Sequence, residues 1–302
     1  MKEVVAFSPA HITGLVEICD YNEEPLFKGS RGAGVSIEKG VTTSVSIEPS
    51  SKPLFKISIN KQDTKSAEVS EYVLQVFLTK IEDKYRILVN HEVEVPIGSG
   101  FGSSGAAALS LSLALNEIFD LNLSMIQIAQ IAHIADVECR TGLGTVIAET
   151  YGGLEIRVKP GAPGIGELKQ IPINVNCSVA CLNFAPISKR SVLTDNKLRE
   201  RINMFGGKLI DELIKDSTPN NFMRLSRRFA EHIGLISERM RKILNEADRE
   251  GITCSMAMFG ETLFALVEYD SLERLLKIFH KYTVSKQNVI VSGIDLKGIR
   301  LL

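Results

Sequence analysis

Residues 96–108, PIGSGFGSSGAAA, set three glycines at alternate positions and follow them with two serines and a run of small residues. Glycines so spaced tolerate positive φ and let the backbone approach a ligand closely, and the run beyond them predicts a helix from Ser103 to about Phe119. A helix opening straight out of such a loop presents backbone N–H groups and a positive dipole end, which together make an anion site. Pro96, Gly98, Ser99, Gly100, Gly102, Ser103 and Ser104 are therefore candidate nucleotide-phosphate residues. The segment is not a G-x-x-x-x-G-K-[ST] loop, since no lysine follows. Nor is it a G-x-G-x-x-G turn opening an N-terminal βαβ unit.

Composition narrows the partners. The 302 residues allow one large domain or two lobes sharing a cleft, and 44% hydrophobic with 24% charged residues exclude a disordered chain or a rod. Thirty-five Lys and Arg stand against thirty-six Asp and Glu, so the basic footprint of a nucleic-acid binder is missing. The longest weakly polar stretch, 105–115, is shorter than the roughly 20 residues that span a bilayer, which predicts no membrane helix. The opening MKEVVAFSPAHITG lacks the long apolar region of a secretory signal, so a cytoplasmic protein is expected. The cysteines, Cys19, Cys139, Cys177, Cys181 and Cys254, form no C-x-x-C pair and are expected to be buried reduced thiols.

Strands are predicted at 3–7, 34–48, 55–60, 86–95, 153–158 and 177–184, and helices at 66–82 and after Ser124, the expected N-cap. Gly29, Gly32 and Gly34 in GSRGAG predict a loop within 14–34. A mostly helical segment to about Ala247 precedes a strand–helix–strand tail, with a helix at 271–282. The lobe boundary is expected near 160–185, giving an N-terminal lobe of 1–170 and a C-terminal lobe of 171–302. The charge-dense stretches 197–201 and 224–250 predict solvated amphipathic helices or a subunit contact, which leaves a homodimer open.

PIGSGFGSSGA resembles the second motif of the GHMP kinase superfamily, P-x-G-x-G-L-G-S-S-A-A, with Phe101 for Leu and Gly105 for Ala. FSPAHITG at 7–14 is similar to the first motif, and SMAMFGETLFAL at 255–266 sits where a degenerate third motif belongs. GSRGAGV at 29–35, AHIADVECRTGLGTVIAETYGGLEIR at 132–157, and PISKRSVL with RINMFG at 186–206 resemble the archaeal pantoate kinase branch. The resemblance implies a two-lobed α+β GHMP kinase fold with a central cleft, and an ATP- and Mg2+-dependent kinase acting on a small hydroxy acid. It assigns Ser30, His133 and Arg157 to the acceptor. Ser104 and Asp136 are assigned to Mg2+ and catalysis. His11 replaces a residue that is basic in many relatives, and a ligand contact and a structural hydrogen bond weigh equally there.

Two departures bear on the acceptor. Asp136 stands where the branch has Glu, keeping the charge with a shorter reach. Thr145 stands where the branch has Asp in a GLGDV run, and a hydroxyl cannot serve as that general base. Phosphoryl transfer depends mainly on positioning and charge stabilisation, so activity is still expected. Losing a negative charge beside the acceptor favours a more anionic substrate, which makes mevalonate 3-phosphate, phosphorylated on its 5-hydroxyl, the leading expectation. Arg31, Lys189 and Arg190 are then candidates for its phosphate. Pantoate is the alternative, and an inactive nucleotide or metabolite sensor the third reading.

Overall fold

Valine, isoleucine and threonine crowd the first 49 residues, and these residues form two long antiparallel strands, β1 (Lys2–Cys19) and β2 (Gly29–Pro49). The structure, a computed structural model, describes residues 2–64, 67–173, 176–186, 195–283 and 285–302. β1 and β2 pair from Lys2 opposite Ile47 to Cys19 opposite Gly29, with irregularities at Pro9/Ala10 and Thr13/Leu15. Only a short 3-10 turn, Pro25–Phe27, separates them. The loop expected around GSRGAG is therefore strand. Its glycines serve close approach: a Cβ on Gly32 would lie 2.5 Å from a guanidinium nitrogen of Arg157, and one on Gly34 would lie 2.4 Å from the His11 ring. The missing side chains open a notch across β2 through which residues of the flanking strands meet.

β2 is long enough to hold two partners. Residues 41–49 pair with β5 (Tyr85–Val93), and residues 32–35 pair with β6 (Leu154–Lys159). The eight-stranded sheet runs β12–β1–β2–β5–β3–β4, where β3 is Leu54–Ile59, β4 is Gln62–Asp63 and β12 is Arg300–Leu301. β7 (Glu167–Gln170) extends β6. Four helices accompany this sheet: α1 (Glu68–Leu78), α2 (Ser103–Ile118), α3 (Met125–Glu138) and α4 (Thr145–Tyr151). α2 is Ala-, Ser- and Leu-rich and almost wholly buried, since small side chains allow close packing on every face. α3 starts as expected at Ser124, whose hydroxyl accepts from the Gln127 amide while the Gln127 side chain accepts from the Ser124 amide.

The second sheet has the order β11–β8–β10–β9, with β8 at Ser178–Pro186, β9 at Ser255–Met256, β10 at Gly260–Val267 and β11 at Val289–Ser292. α5 (Asn196–Lys215) packs on β1, β2 and β6 of the first sheet and on α6 (Pro219–Ile233), which reaches from β1 to β9 and β10; α8 (Tyr269–Lys281) lies on β8 and β11, and α7 (Glu238–Arg249) packs on α8. The charged stretch 224–250 is two helices, because Gly234 ends α6 in the left-handed region at φ 74°. One core gathers Ala6, Val45, Phe77 and Leu111; the other gathers Ile12, Val35 and Ile156 with Leu182, Phe229 and Phe264. The β1–β2 hairpin feeds both. This is the α+β architecture expected.

All five cysteines are free, but only Cys181 and Cys254 are fully buried, and Cys177 lies just ahead of β8. Burial pushes the Cys181 and Cys254 thiols up, so both stay protonated and inert. Among the described residues no helix is long and apolar enough to cross a membrane.

Gly34→Ala should lower stability by about 1–3 kcal/mol or more, since the new Cβ meets both the His11 ring and the Ile12 carbonyl oxygen, the latter at 2.4 Å. A urea midpoint matching the parent would contradict the notch.

Candidate active site

Gly98, Gly100 and Gly102 hold φ values of 76°, 89° and 67°, so the alternation seen in the sequence sets alternate peptide units in the left-handed region. Gly102 is the N-cap of α2, and no side chain caps the helix, which leaves its first N–H groups directed at the loop. Three contacts fix the loop. The His11 amide donates to the Phe101 carbonyl at 3.0 Å, the Thr262 hydroxyl donates to the Ser99 carbonyl at 2.9 Å, and Gly260 packs directly on Ser99. The segment 255–266 thus abuts the glycine loop.

Asp136 is buried on α3 beside the opening turn of α2. Its Oδ1 accepts from Ser104 Oγ at 3.0 Å and from Thr141 Oγ1 at 2.6 Å, while Oδ2 is buried with no hydrogen-bond partner among the described residues. A buried carboxylate oxygen without a donor is costly, and a hard cation is one group that would satisfy it. Among the described residues no group of three or more His, Cys, Asp or Glu could hold a metal by itself.

On one side of the loop is a narrow, mostly apolar pocket lined by Gly100, Gly102, Leu143, Met258 and Phe259, with His11, Thr13, Ser30, Thr145 and Arg157 as its polar side chains. Arg157 and Glu155 are two residues apart on β6, so they share a face, and both are fully buried. Arg157 Nη1 donates to Glu155 Oε1 at 2.6 Å, and His11 Nε2 lies 2.8 Å from the same oxygen. Arg157 Nη1 is 3.4 Å from His11 Nε2. The shorter contact decides the tautomer: Nε2 carries the proton and donates to Glu155, leaving Nδ1 as the acceptor. The Thr13 hydroxyl, 3.3 Å away, donates to it. Burial pushes the His11 imidazole below its ordinary pKa, with Glu155 opposing and Arg157 reinforcing the shift. The Nε atom of Arg157 and the Oγ1 of Thr145 are buried without hydrogen-bond partners among the described residues.

The expected residues divide three ways. Ser30, Thr145 and Arg157 come together at this pocket, and Ser104 with Asp136 sits on the loop's flank. His133 does not line the pocket: its Nε2 is 3.2 Å from the Pro25 carbonyl oxygen and 3.0 Å from that of Lys28, so the ring holds the turn between β1 and β2. Arg31 alternates to the other face from Ser30 and pairs with Glu17 and Asp211. Lys189 and Arg190 lie outside the described residues. Sequence reasoning missed Thr13 and Glu155, both of which strand periodicity could have flagged, each standing two residues from a chosen position. It also missed Glu149, buried on α4, which explains two glycines, since a Cβ on Gly102 or Gly105 would lie 2.3 or 2.7 Å from its carboxylate oxygens.

Across the loop a second cavity, about 300 Å3, is walled by Ile59, Val69, Val93, Ile97 and Ala107, with Ser103 and Ser104 at its edge. His91 closes it from below, bonded to Thr43 Oγ1 at 2.8 Å and Ser70 Oγ at 3.0 Å. Burial pushes His91 down to about 4. An unfolded chain protonates this residue near 6.5, so between about pH 6.5 and 4 the unfolded state binds the extra proton and stability falls as pH drops. This residue should remove about 3 kcal/mol on going from pH 7 to pH 4. His91→Asn should show a shallower fall of urea midpoint over that range, and identical slopes would contradict it.

Residues 69–153 match the family described as GHMP kinases N terminal domain. The chain is 36% identical over 273 residues to a pantoate kinase of Thermococcus kodakarensis, covering 89% of each chain. It is 34% identical over 272 residues to a pantoate kinase of Methanocaldococcus jannaschii, covering 90% of this chain and 96% of the relative. A solved structure titled phosphotransferase related to CoA biosynthesis pathway superposes with a TM-score of 0.89 at 30% identity, covering 99% of this chain and 98% of that one. The paired pockets and the glycine loop between them thus lie in a member of the GHMP kinase superfamily, of its pantoate kinase-like branch, an ATP-dependent kinase that phosphorylates a hydroxyl.

Proposed function

We propose that this kinase phosphorylates the primary hydroxyl of a small hydroxy acid bearing one carboxylate, with pantoate as the leading acceptor. The observation that carries this reading is the division of the loop: Gly100 and Gly102 face the pocket with Arg157, whereas Ser103 and Ser104 edge the apolar cavity. A nucleotide base in the apolar cavity, with phosphates over the α2 N-terminus, would present its terminal phosphate to an acceptor in the other pocket.

Charge selects the acceptor class. Among the described residues Arg157 is the only cation lining that pocket, and Glu155 already takes part of its charge. The unpartnered Nε of Arg157 offers a donor to a carboxylate. Arg31, the cation considered for an extra phosphate, is committed to Glu17 and Asp211. These pairings, together with relatives named pantoate kinases, favour pantoate over the phosphorylated acceptor that Thr145 alone suggested. Mevalonate 3-phosphate remains the second reading because Thr145 adds no negative charge there.

The oxygens of Asp136 and Ser104 fit Mg2+, which takes few protein ligands and completes its shell with water and phosphate oxygens. The ion would neutralise charge on the transferring phosphates.

A coupled ADP-release assay across pantoate, mevalonate, mevalonate 3-phosphate and homoserine should show the highest kcat/KM with pantoate. A preference for mevalonate 3-phosphate would reverse the order, and ATP binding without ADP release on any acceptor would favour a sensor. Arg157→Lys should raise the acceptor KM about tenfold or more with the ATP KM nearly unchanged, because a point charge replaces a planar fork. Asp136→Asn should lower kcat and raise the Mg2+ concentration for half-maximal rate, a neutral amide being the poorer ligand; wild-type Mg2+ dependence would remove Asp136 from the metal site.

A further inference from the structure

We propose that His11, held by Glu155, is the general base that takes the proton from the acceptor's hydroxyl. This inference rests on reading the Arg157 pocket as the acceptor site. Transfer to an alcohol requires its proton to leave, and the polar side chains lining this pocket are Ser30, Thr13, Thr145, Arg157 and His11. Three are hydroxyls and one is a permanent cation. His11 alone of these described lining residues can accept a proton near neutral pH.

The geometry supplies the parts of an oriented base. Glu155 Oε1 fixes the Nε2–H tautomer at 2.8 Å, so Nδ1 carries the lone pair. Nδ1 is occupied only by a long 3.3 Å contact from the Thr13 hydroxyl, which an incoming alcohol can replace. The backbone of His11 is bonded to the phosphate loop at Phe101, which ties the base to the site where the phosphoryl donor binds. In the step, the acceptor O–H bond breaks and an N–H bond forms at Nδ1. The oxygen bonds to the γ-phosphorus of ATP as the bond from that phosphorus to ADP breaks. Glu155 stabilises the imidazolium, and the proton passes to solvent when the products leave.

The charged and titratable groups facing His11 are Glu155 and Arg157 from β6 and Glu149 from α4 across Gly102. Burial keeps the ring neutral at pH 7, ready to accept. The acid limb of the kcat/KM profile is therefore expected below pH 6.5.

In the full-length enzyme His11→Gln should lower kcat about 100-fold or more with pantoate, while binding of a non-hydrolysable ATP analogue stays within about threefold of the parent. The acid limb should disappear. Adding Thr145→Asp to His11→Gln should restore kcat at least tenfold by putting a carboxylate base on the same pocket wall. A His11→Gln enzyme with parental kcat and an unchanged acid limb would overturn the proposal. If that variant fails to fold, judged by thermal unfolding, Glu155→Gln decides: the limb should move to lower pH as the imidazolium loses its counter-charge, and an unmoved limb would overturn it. Failure of the parent to release ADP on any carboxylate acceptor would instead strike the reading of the pocket, which separates the two outcomes.

Discussion

Glu155 is a carboxylate buried where three strands meet, and much of the site follows from satisfying it. An unpaired buried carboxylate costs several kcal/mol, so it needs close donors; Oε1 has them, whereas Oε2 has none among the described residues. Arg157 and His11 provide them at 2.6 and 2.8 Å, but His11 sits on β1 and the pair sits on β6, with β2 between. Contact across an intervening strand is possible only where that strand has no side chain. Gly34 and Gly32 meet that need. One buried charge thereby dictates glycine in β2, aligns β6 with the hairpin, and seats an imidazole beside the phosphate loop.

The loop works through the same kind of pre-arrangement. Its left-handed glycines and the start of α2 without a side-chain cap set backbone N–H groups in place before any ligand arrives, the kind of fixed dipoles that stabilise an anion without reorganisation. Packing from β1 and β10 holds that arrangement, through the His11–Phe101 and Thr262–Ser99 hydrogen bonds. Ser104 and Thr141 both donate to Asp136 Oδ1, which leaves Oδ2 without a hydrogen-bond partner among the described residues. Gly100 and Gly102 line one cavity beside the loop, and Ser103 and Ser104 line the other.

Much of this was legible in the chain itself. PIGSGFGSSGAAA specified the loop and the start of α2, because positive φ and close approach are local demands that glycine alone meets. Ser124, the expected N-cap, announced the start of α3. GSRGAG misled: the same freedom that marks loops also permits a strand to be crossed, and periodicity cannot tell these uses apart. His133, chosen through company in sequence, spends its ring nitrogen on the carbonyls of Pro25 and Lys28.

What the sequence determined alone was therefore local conformation in most segments, the positive-φ glycine loop ahead of α2, and which family motifs are present. The tertiary structure decided which charges meet. His11 and Glu155 are 144 residues apart, and Arg31 and Asp211 are 180 apart. Local patterning reports on neighbours within a turn or two of the chain, whereas the pairing of a distant acid and base is set by strand register and by which residue lacks a side chain between them. That is why Arg157 lies in the pocket beside His11 and Glu155 while Arg31 pairs with Glu17 and Asp211 on the other face of β2, although both are arginines on strands of one sheet.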